Sequence, residues 1–293
     1  MKRLLTALLL SALPPAAAAQ DVQPAGREAY TVLTGLFAYD ASLPLNARAF
    51  ERFDTATFTR EKIVFDGWRG SRVPGLVALP KNAASKHPVI LLIDGIGGWK
   101  ERWWQRTSWN RGRVLIDSLV AAGYGVAMID APASGERTYE NDYETAETFV
   151  RKLPQWRDMA LQNTIELRRL IDYLATRPDV DVSRIGALGL SHGGMVTFYL
   201  AAIESRVRVA VAGLTPQQNI PAVLLPLHYA PHVAVPFLLL AGTKDGWYTP
   251  EQVQKVSGLM ASQHKQVVWY DVGHRLPEEY AGATVAWFRE YLR

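Results

Sequence analysis

A serine set between two glycines, Gly189-Leu190-Ser191-His192-Gly193, constrains this chain more than any other stretch. The run before it, Arg184 to Leu188, reads as a short buried strand, and Gly194 to Ile203 reads as a helix. A serine at a strand-to-helix reversal is forced into a strained backbone that lifts its hydroxyl clear of the sheet. The flanking glycines are required because the turn presses their Cα atoms against neighbouring backbone, where a side chain would clash. The pattern makes Ser191 the candidate nucleophile. A tight turn with a solvated serine is the competing reading, and it leaves the strand, the helix and the downstream acid and histidine unexplained.

The rest of the chain supplies a matching context. From about residue 60 onward strands and helices alternate. The strand candidates are Glu61 to Phe65, Gly75 to Leu79, Val89 to Ile93, Val126 to Ile129, Ile185 to Leu190, Val207 to Val211, Phe237 to Ala241 and Val267 to Tyr270. Helices are expected near Val114 to Ala122, Arg157 to Thr176, His192 to Ile203, Glu251 to Ser262 and Glu278 to Tyr291. The central strands are continuous apolar runs, as parallel strands covered on both faces require. The expected fold class is α/β: a doubly wound, mostly parallel eight-stranded sheet with helices on both faces and right-handed crossovers.

With 293 residues, 48% of them hydrophobic, the chain can bury one large core. No repeat, low-complexity tract or linker divides it, so residues 60–293 read as one domain. Residues 20–59 read as a mostly helical or irregular segment packing on that domain, with Tyr30, Leu33, Leu36 and Phe37 at helical spacing. Two connections, near 131–156 and 214–235, are longer than a crossover needs. Both leave strand ends where active sites form in open α/β sheets, which makes them candidate cap or rim insertions.

Residues 1–19 have the layout of a signal peptide. Lys2 and Arg3 form a basic start, Leu4 to Leu13 an apolar middle, and Ala17-Ala18-Ala19 a small-residue cleavage site. The apolar stretch is too short to span a bilayer comfortably, so the expectation is a periplasmic or secreted protein with no membrane anchor. The chain has no cysteine, which excludes disulfides, a lipidated cysteine and a thiol nucleophile. Net charge is +4, of which Lys2 and Arg3 contribute two, and basic residues are interspersed with acids. That pattern argues against a nucleic-acid partner.

A serine hydroxyl needs a base within hydrogen-bond reach and a third group to orient that base. Of six histidines, His87 and His264 lie at the wrong edge of the sheet, and His192 follows the serine. His228 and His232 sit in the second long connection and could approach the cleft. His274, in Asp271-Val272-Gly273-His274 just past the last strand, is best placed as the base. The acid should end the preceding strand, where Gly242-Thr243-Lys244-Asp245 offers Asp245; Asp271 and Asp130 are weaker rivals. An oxyanion hole calls for two backbone N–H groups. His192, the residue after the nucleophile, supplies one. The other belongs to Asp94-Gly95-Ile96-Gly97-Gly98, with Ile96 the best placed donor.

On the GLSHGG elbow, the DGIGG loop, AGTKD and DVGH, residues 60–293 resemble serine hydrolases of the α/β-hydrolase fold. The likeness is to the dienelactone-hydrolase-like and acetyl-xylan-esterase-like branches. The resemblance implies an acyl-enzyme mechanism without a cofactor. Two departures stand out: many relatives carry histidine where Asp94 stands, and dienelactone hydrolases use a cysteine nucleophile.

Weaker signals surround this core. Trp99, Trp103, Trp104 and Trp109 follow the oxyanion loop and read either as an aromatic wall for a sugar or aryl group or as anchors packing a helix. Trp99, Trp247 and Tyr248 are the candidate substrate-binding residues. The spacing of His228 and His232 suits a helical metal site, but Pro231 between them and the lack of a nearby carboxylate argue for no metal. The function expected is carboxylic ester hydrolysis on a small-molecule substrate. A serine peptidase of oligopeptidase type is the alternative, and a non-catalytic binding protein on the same scaffold is a third reading. Oligomeric state is open.

Overall fold

The computed structural model describes residues 22–81, 84–138 and 152–293. The expected leader and half of the first long connection (139–151) lie outside the described residues. Nine strands among the described residues form one sheet: β1 (Arg48–Asp54), β2 (Phe58–Asp66), β3 (Arg72–Pro80), β4 (His87–Ile93), β5 (Gly125–Ile129), β6 (Val180–Leu190), β7 (Val207–Gly213), β8 (Phe237–Gly242) and β9 (Lys265–Tyr270). The α-helices among the described residues are α1 (Arg27–Gly35), α2 (Gly112–Ala121), α3 (Leu153–Ala175), α4 (His192–Ile203), α5 (Pro226–Tyr229), α6 (Pro250–Leu259) and α7 (Tyr280–Tyr291).

The strand order is β1-β2-β3-β5-β4-β6-β7-β8-β9. The first three strands and β5 pair antiparallel, and from β5 to β9 every pairing is parallel. The eight expected strands are all present. The ninth, β1, lies in the segment expected to be helical or irregular, of which α1 is the helical part. Two features hid it. Every residue of β1 is exposed, so burial imposes no alternation on its sequence. Its register against β2 also slips between Ala49 and Glu51, which breaks the two-residue period.

The continuous apolar runs serve two cores at once. Along β4, Val89, Leu91 and Ile93 face one cluster and Ile90 and Leu92 the other. The same alternation recurs in β8, where Phe237 and Leu239 oppose Leu238 and Leu240. Helices α3, α4 and α6 cover the first face, and α2 and α7 cover the second. Helix α4 is apolar around its whole circumference and is buried from His192 to Ala201, as such a helix must be.

The chain leaves β4 for β5 on one side and returns to β6 on the other side of β4. The carboxyl ends of β4 and β6 therefore lie side by side at a topological switch point, paired through Ile93 and Gly189. The DGIGG loop and the serine elbow emerge there together. On the far side β8 and β9 end side by side, paired through Gly242 and Tyr270, which brings the loops of Asp245 and His274 into register.

Candidate active site

Ser191 sits between β6 and α4 with φ 57° and ψ −120°, a conformation that costs a non-glycine residue roughly 1–3 kcal/mol. Close packing holds it there. The Ser191 N–H donates to the Gly213 carbonyl at 2.8 Å, tying the elbow to the end of β7. A Cβ on Gly189 would overlap the Gly193 carbonyl, and one on Gly193 would overlap the Ile93 carbonyl. Both glycines of the motif are thus required by close approach of backbone.

The structure brings Ser191, His274 and Asp245 together. His274 Nε2 lies 2.8 Å from Ser191 Oγ, and His274 Nδ1 lies 2.7 Å from Asp245 Oδ2. A carboxylate only accepts, so Nδ1 carries the proton and Nε2 is left to accept from the serine hydroxyl. The Asp245 side chain is fully buried, and its second oxygen accepts the Trp247 N–H at 2.9 Å. Both carboxylate oxygens are occupied, which fixes the plane of the acid against the ring.

The rival acids are committed elsewhere. Asp271 is 78% exposed and pairs with Lys244 and Thr243. Asp130 is fully buried and accepts from the Lys100 backbone N–H at 2.9 Å, Lys100 Nζ at 2.7 Å and the Glu136 N–H at 2.9 Å. It anchors the start of the first long connection to the segment after the DGIGG loop.

The DGIGG loop turns through Gly95–Gly98, closed by a Gly98 N–H to Gly95 carbonyl bond of 3.0 Å. Gly97, at the third position, has φ 70°, which favours glycine there. Asp94 takes the Gly95 N–H at 2.8 Å, so that donor is spent within the loop. Among the described residues neither the Ile96 N–H nor the His192 N–H meets an acceptor, and both residues line the cleft with Ser191. Asp94 also binds Arg102 through two bonds of 2.7 and 2.6 Å and accepts from Asn110 Nδ2 at 3.2 Å.

The His192 side chain is buried and accepts the Trp156 indole N–H at Nδ1, 3.0 Å away. Burial lowers its pKa to about 4, so the ring is neutral near pH 7 with its proton on Nε2.

The cleft encloses about 410 Å³ and is walled by Trp109, Trp156, Trp247, Ile96 and Pro216, with Arg102 as its charged side chain. Of the expected substrate-binding residues, only Trp247 lines it. Tyr248 is 4% exposed, and its hydroxyl accepts the Gly242 N–H at 2.8 Å, a packing position below the acid loop. Trp99 stands outside the wall against the Arg102 guanidinium, 5.7 Å from its ring centre. Trp103 is buried among the residues of α2.

The sequence leaves Trp109 between aromatic wall and helix anchor and gives no sign that Trp156 is a wall. Trp109 was one of four similar tryptophans, and Trp156 lies 36 residues from the His192 it touches, with no pattern linking the two. The long connections do reach the cleft, through Trp156 near the end of one and Pro216 near the start of the other. His228 and His232 do not line it. His228 Nδ1 accepts the Ala25 N–H at 3.1 Å, and the His232 ring stacks on Tyr30, so both serve to seat the N-terminal segment.

Known proteins share this architecture. Acetyl xylan esterase 1 from Thermoanaerobacterium sp. superposes with a TM-score of 0.71 at 19% identity, covering 92% of this chain and 95% of that one. A cold-adapted esterase from an Arctic intertidal metagenomic library gives 0.67 at 20% identity, over 86% and 100%. At such identities the likeness is one of fold. In sequence, YtaP of Bacillus subtilis, a hydrolase by inference, is 26% identical over 155 residues, 52% of this chain and 51% of its own length. The carbohydrate esterase MZ0003 of an unknown prokaryotic organism is 27% identical over 171 residues, 47% and 39% of the two chains. The chain thus spans about half or less of these two relatives. The dienelactone hydrolase family model matches residues 73–286, most of the chain, and the chain belongs to that family.

Proposed function

We propose that this protein is a carboxylic ester hydrolase working through Ser191, His274 and Asp245 and an acyl-enzyme intermediate. The observation that carries this reading is the unbroken relay from Asp245 Oδ2 to His274 Nδ1 at 2.7 Å and from His274 Nε2 to Ser191 Oγ at 2.8 Å. It opens on a cleft that also presents two backbone donors. His274 takes the serine proton as Ser191 attacks the ester carbonyl, and Asp245 orients the ring and stabilises its charged form. The N–H groups of Ile96 and His192 receive the developing oxyanion, an interaction of which a single donor is worth a factor of about 10² to 10³. The alcohol leaves with the proton from His274. Water, deprotonated by the same imidazole, then releases the acid.

Membership of the dienelactone hydrolase family supports ester hydrolysis over peptide hydrolysis. The test uses covalent labelling by a fluorophosphonate and turnover of short p-nitrophenyl esters against aminoacyl-arylamides. Ser191→Ala should abolish labelling and lower turnover by roughly 10⁴-fold while leaving the fold intact. Retained ester turnover in that variant refutes the assignment, and a preference for the arylamides would make the protein a peptidase. We also infer export from the leader at residues 1–19, which cell fractionation of the full-length chain tests.

A further inference from the structure

His274 lies on a loop with no regular structure between β9 and α7, yet it must hold hydrogen bonds at both ring nitrogens. The segment 107–111, just before α2, braces this loop. Arg111 Nε donates to the Leu276 carbonyl at 3.1 Å, and Arg275 reaches the carbonyls of Thr107 and Ser108 at 3.3 Å each. The Tyr280 hydroxyl donates to the Asn110 carbonyl at 2.6 Å. At the base itself, Trp109 Nε1 donates to the carbonyl oxygen of His274 at 2.7 Å.

We propose that Trp109 is a positioning residue for His274, locking the base's loop to the oxyanion loop through its indole. The inference rests on the Ser191–His274–Asp245 reading above. The indole meets both loops. One edge holds the His274 carbonyl, with the two ring centres 5.6 Å apart. Another edge, at Cζ3, lies 3.5 Å from where a Cβ on Gly95 would stand, next to the proposed donor Ile96. The Arg102 guanidinium sits 5.7 Å from the indole centre and is itself held by Asp94, which also takes the Gly95 N–H. A shift of the indole therefore moves the base relative to the oxyanion donors, and displacements near 1 Å can cost about 10²-fold in rate.

The test is a double-mutant cycle on activity. Trp109→Phe keeps a ring in the wall and removes the N–H donor. It should lower kcat for p-nitrophenyl acetate and the rate of fluorophosphonate labelling by roughly 10-fold, with KM within about twofold. Because Trp109 acts through His274, the same substitution on a His274→Ala background should cost less than about twofold further. A raised KM with kcat intact makes Trp109 a substrate wall and overturns the proposal, as does an equal loss in both backgrounds or none in either. If Trp109→Phe does not fold, Trp109→Tyr replaces it in the same cycle, with the same supporting and overturning results. Wild-type protein that neither labels nor turns over would instead refute the esterase reading, which keeps the two failures apart.

Discussion

Replacing His192 with glutamine should reduce the protein's loss of stability between pH 7 and pH 5 by about 2 kcal/mol. The ring is 2% exposed, and burial carries its pKa from 6.5 down to about 4. Its Nδ1 accepts the Trp156 N–H, a bond that a protonated ring cannot accept. In the unfolded chain the same imidazole titrates near its ordinary value, about 6.5. Between those values the unfolded state holds the extra proton, so this residue's contribution to stability falls as the solution is acidified. Above about pH 6.5 both states are neutral and the slope vanishes; below about pH 4 both are protonated and the loss is complete. At about 1.4 kcal/mol per pH unit, the loss reaches about 2 kcal/mol at pH 5 and about 3 kcal/mol at pH 4.

Glutamine does not titrate, can accept the Trp156 N–H, and keeps the backbone N–H proposed for the oxyanion. Equilibrium urea unfolding followed by tryptophan fluorescence at pH 7 and pH 5 gives the change in stability for each protein. Comparing the two changes cancels the other histidines and the carboxylates. The wild-type loss should exceed the variant's by about 2 kcal/mol. Equal losses would show that the ring takes up its proton in the folded state without cost, and the argument from burial would be wrong.

Two further substitutions probe the elbow and a buried ion pair. Gly193→Ala places a methyl against the Ile93 carbonyl and 2.8 Å from the Asp94 carbonyl, so it should destabilise the fold by about 3 kcal/mol and visibly lower the melting temperature. Arg137→Met strands the carboxylate of Glu166, fully buried and paired with Arg137 at 2.5 Å, and should cost about 3–5 kcal/mol in urea unfolding at pH 7. Changing Glu166 to leucine in that variant should recover most of the loss, because the uncompensated charge goes with it. No recovery would mean that the pair's bonds to Ser71 and the Asp130 carbonyl, not its charge balance, hold this region.

The candidate site was legible where it depends on local backbone. The elbow is a short-range event: Gly189, Ser191 and Gly193 are required by contacts within one turn and with the adjacent strand ends. The DGIGG loop is local in the same sense. Asp245 and His274 could be chosen because each follows an apolar run by a few residues, and parallel strands deliver such residues to a common rim. Where local patterning is absent the sequence misleads. Strand β1 exposes every residue and carries a register slip, and Tyr248, next to a cleft residue, turns into the core.

The amino-acid order alone therefore determined the α/β architecture, the serine elbow and the three side chains that meet at the rim. Those features follow from strand periodicity, glycine sterics and the direction of parallel strands. Only the tertiary structure decided which tryptophans wall the cleft, how Asp94 serves as the hub of its loop, and what holds His274 in place. Trp109 meets His274 across 165 positions and Trp156 meets His192 across 36. Contacts of that span are set by how loops pack over the sheet, and packing leaves no period in the sequence to read.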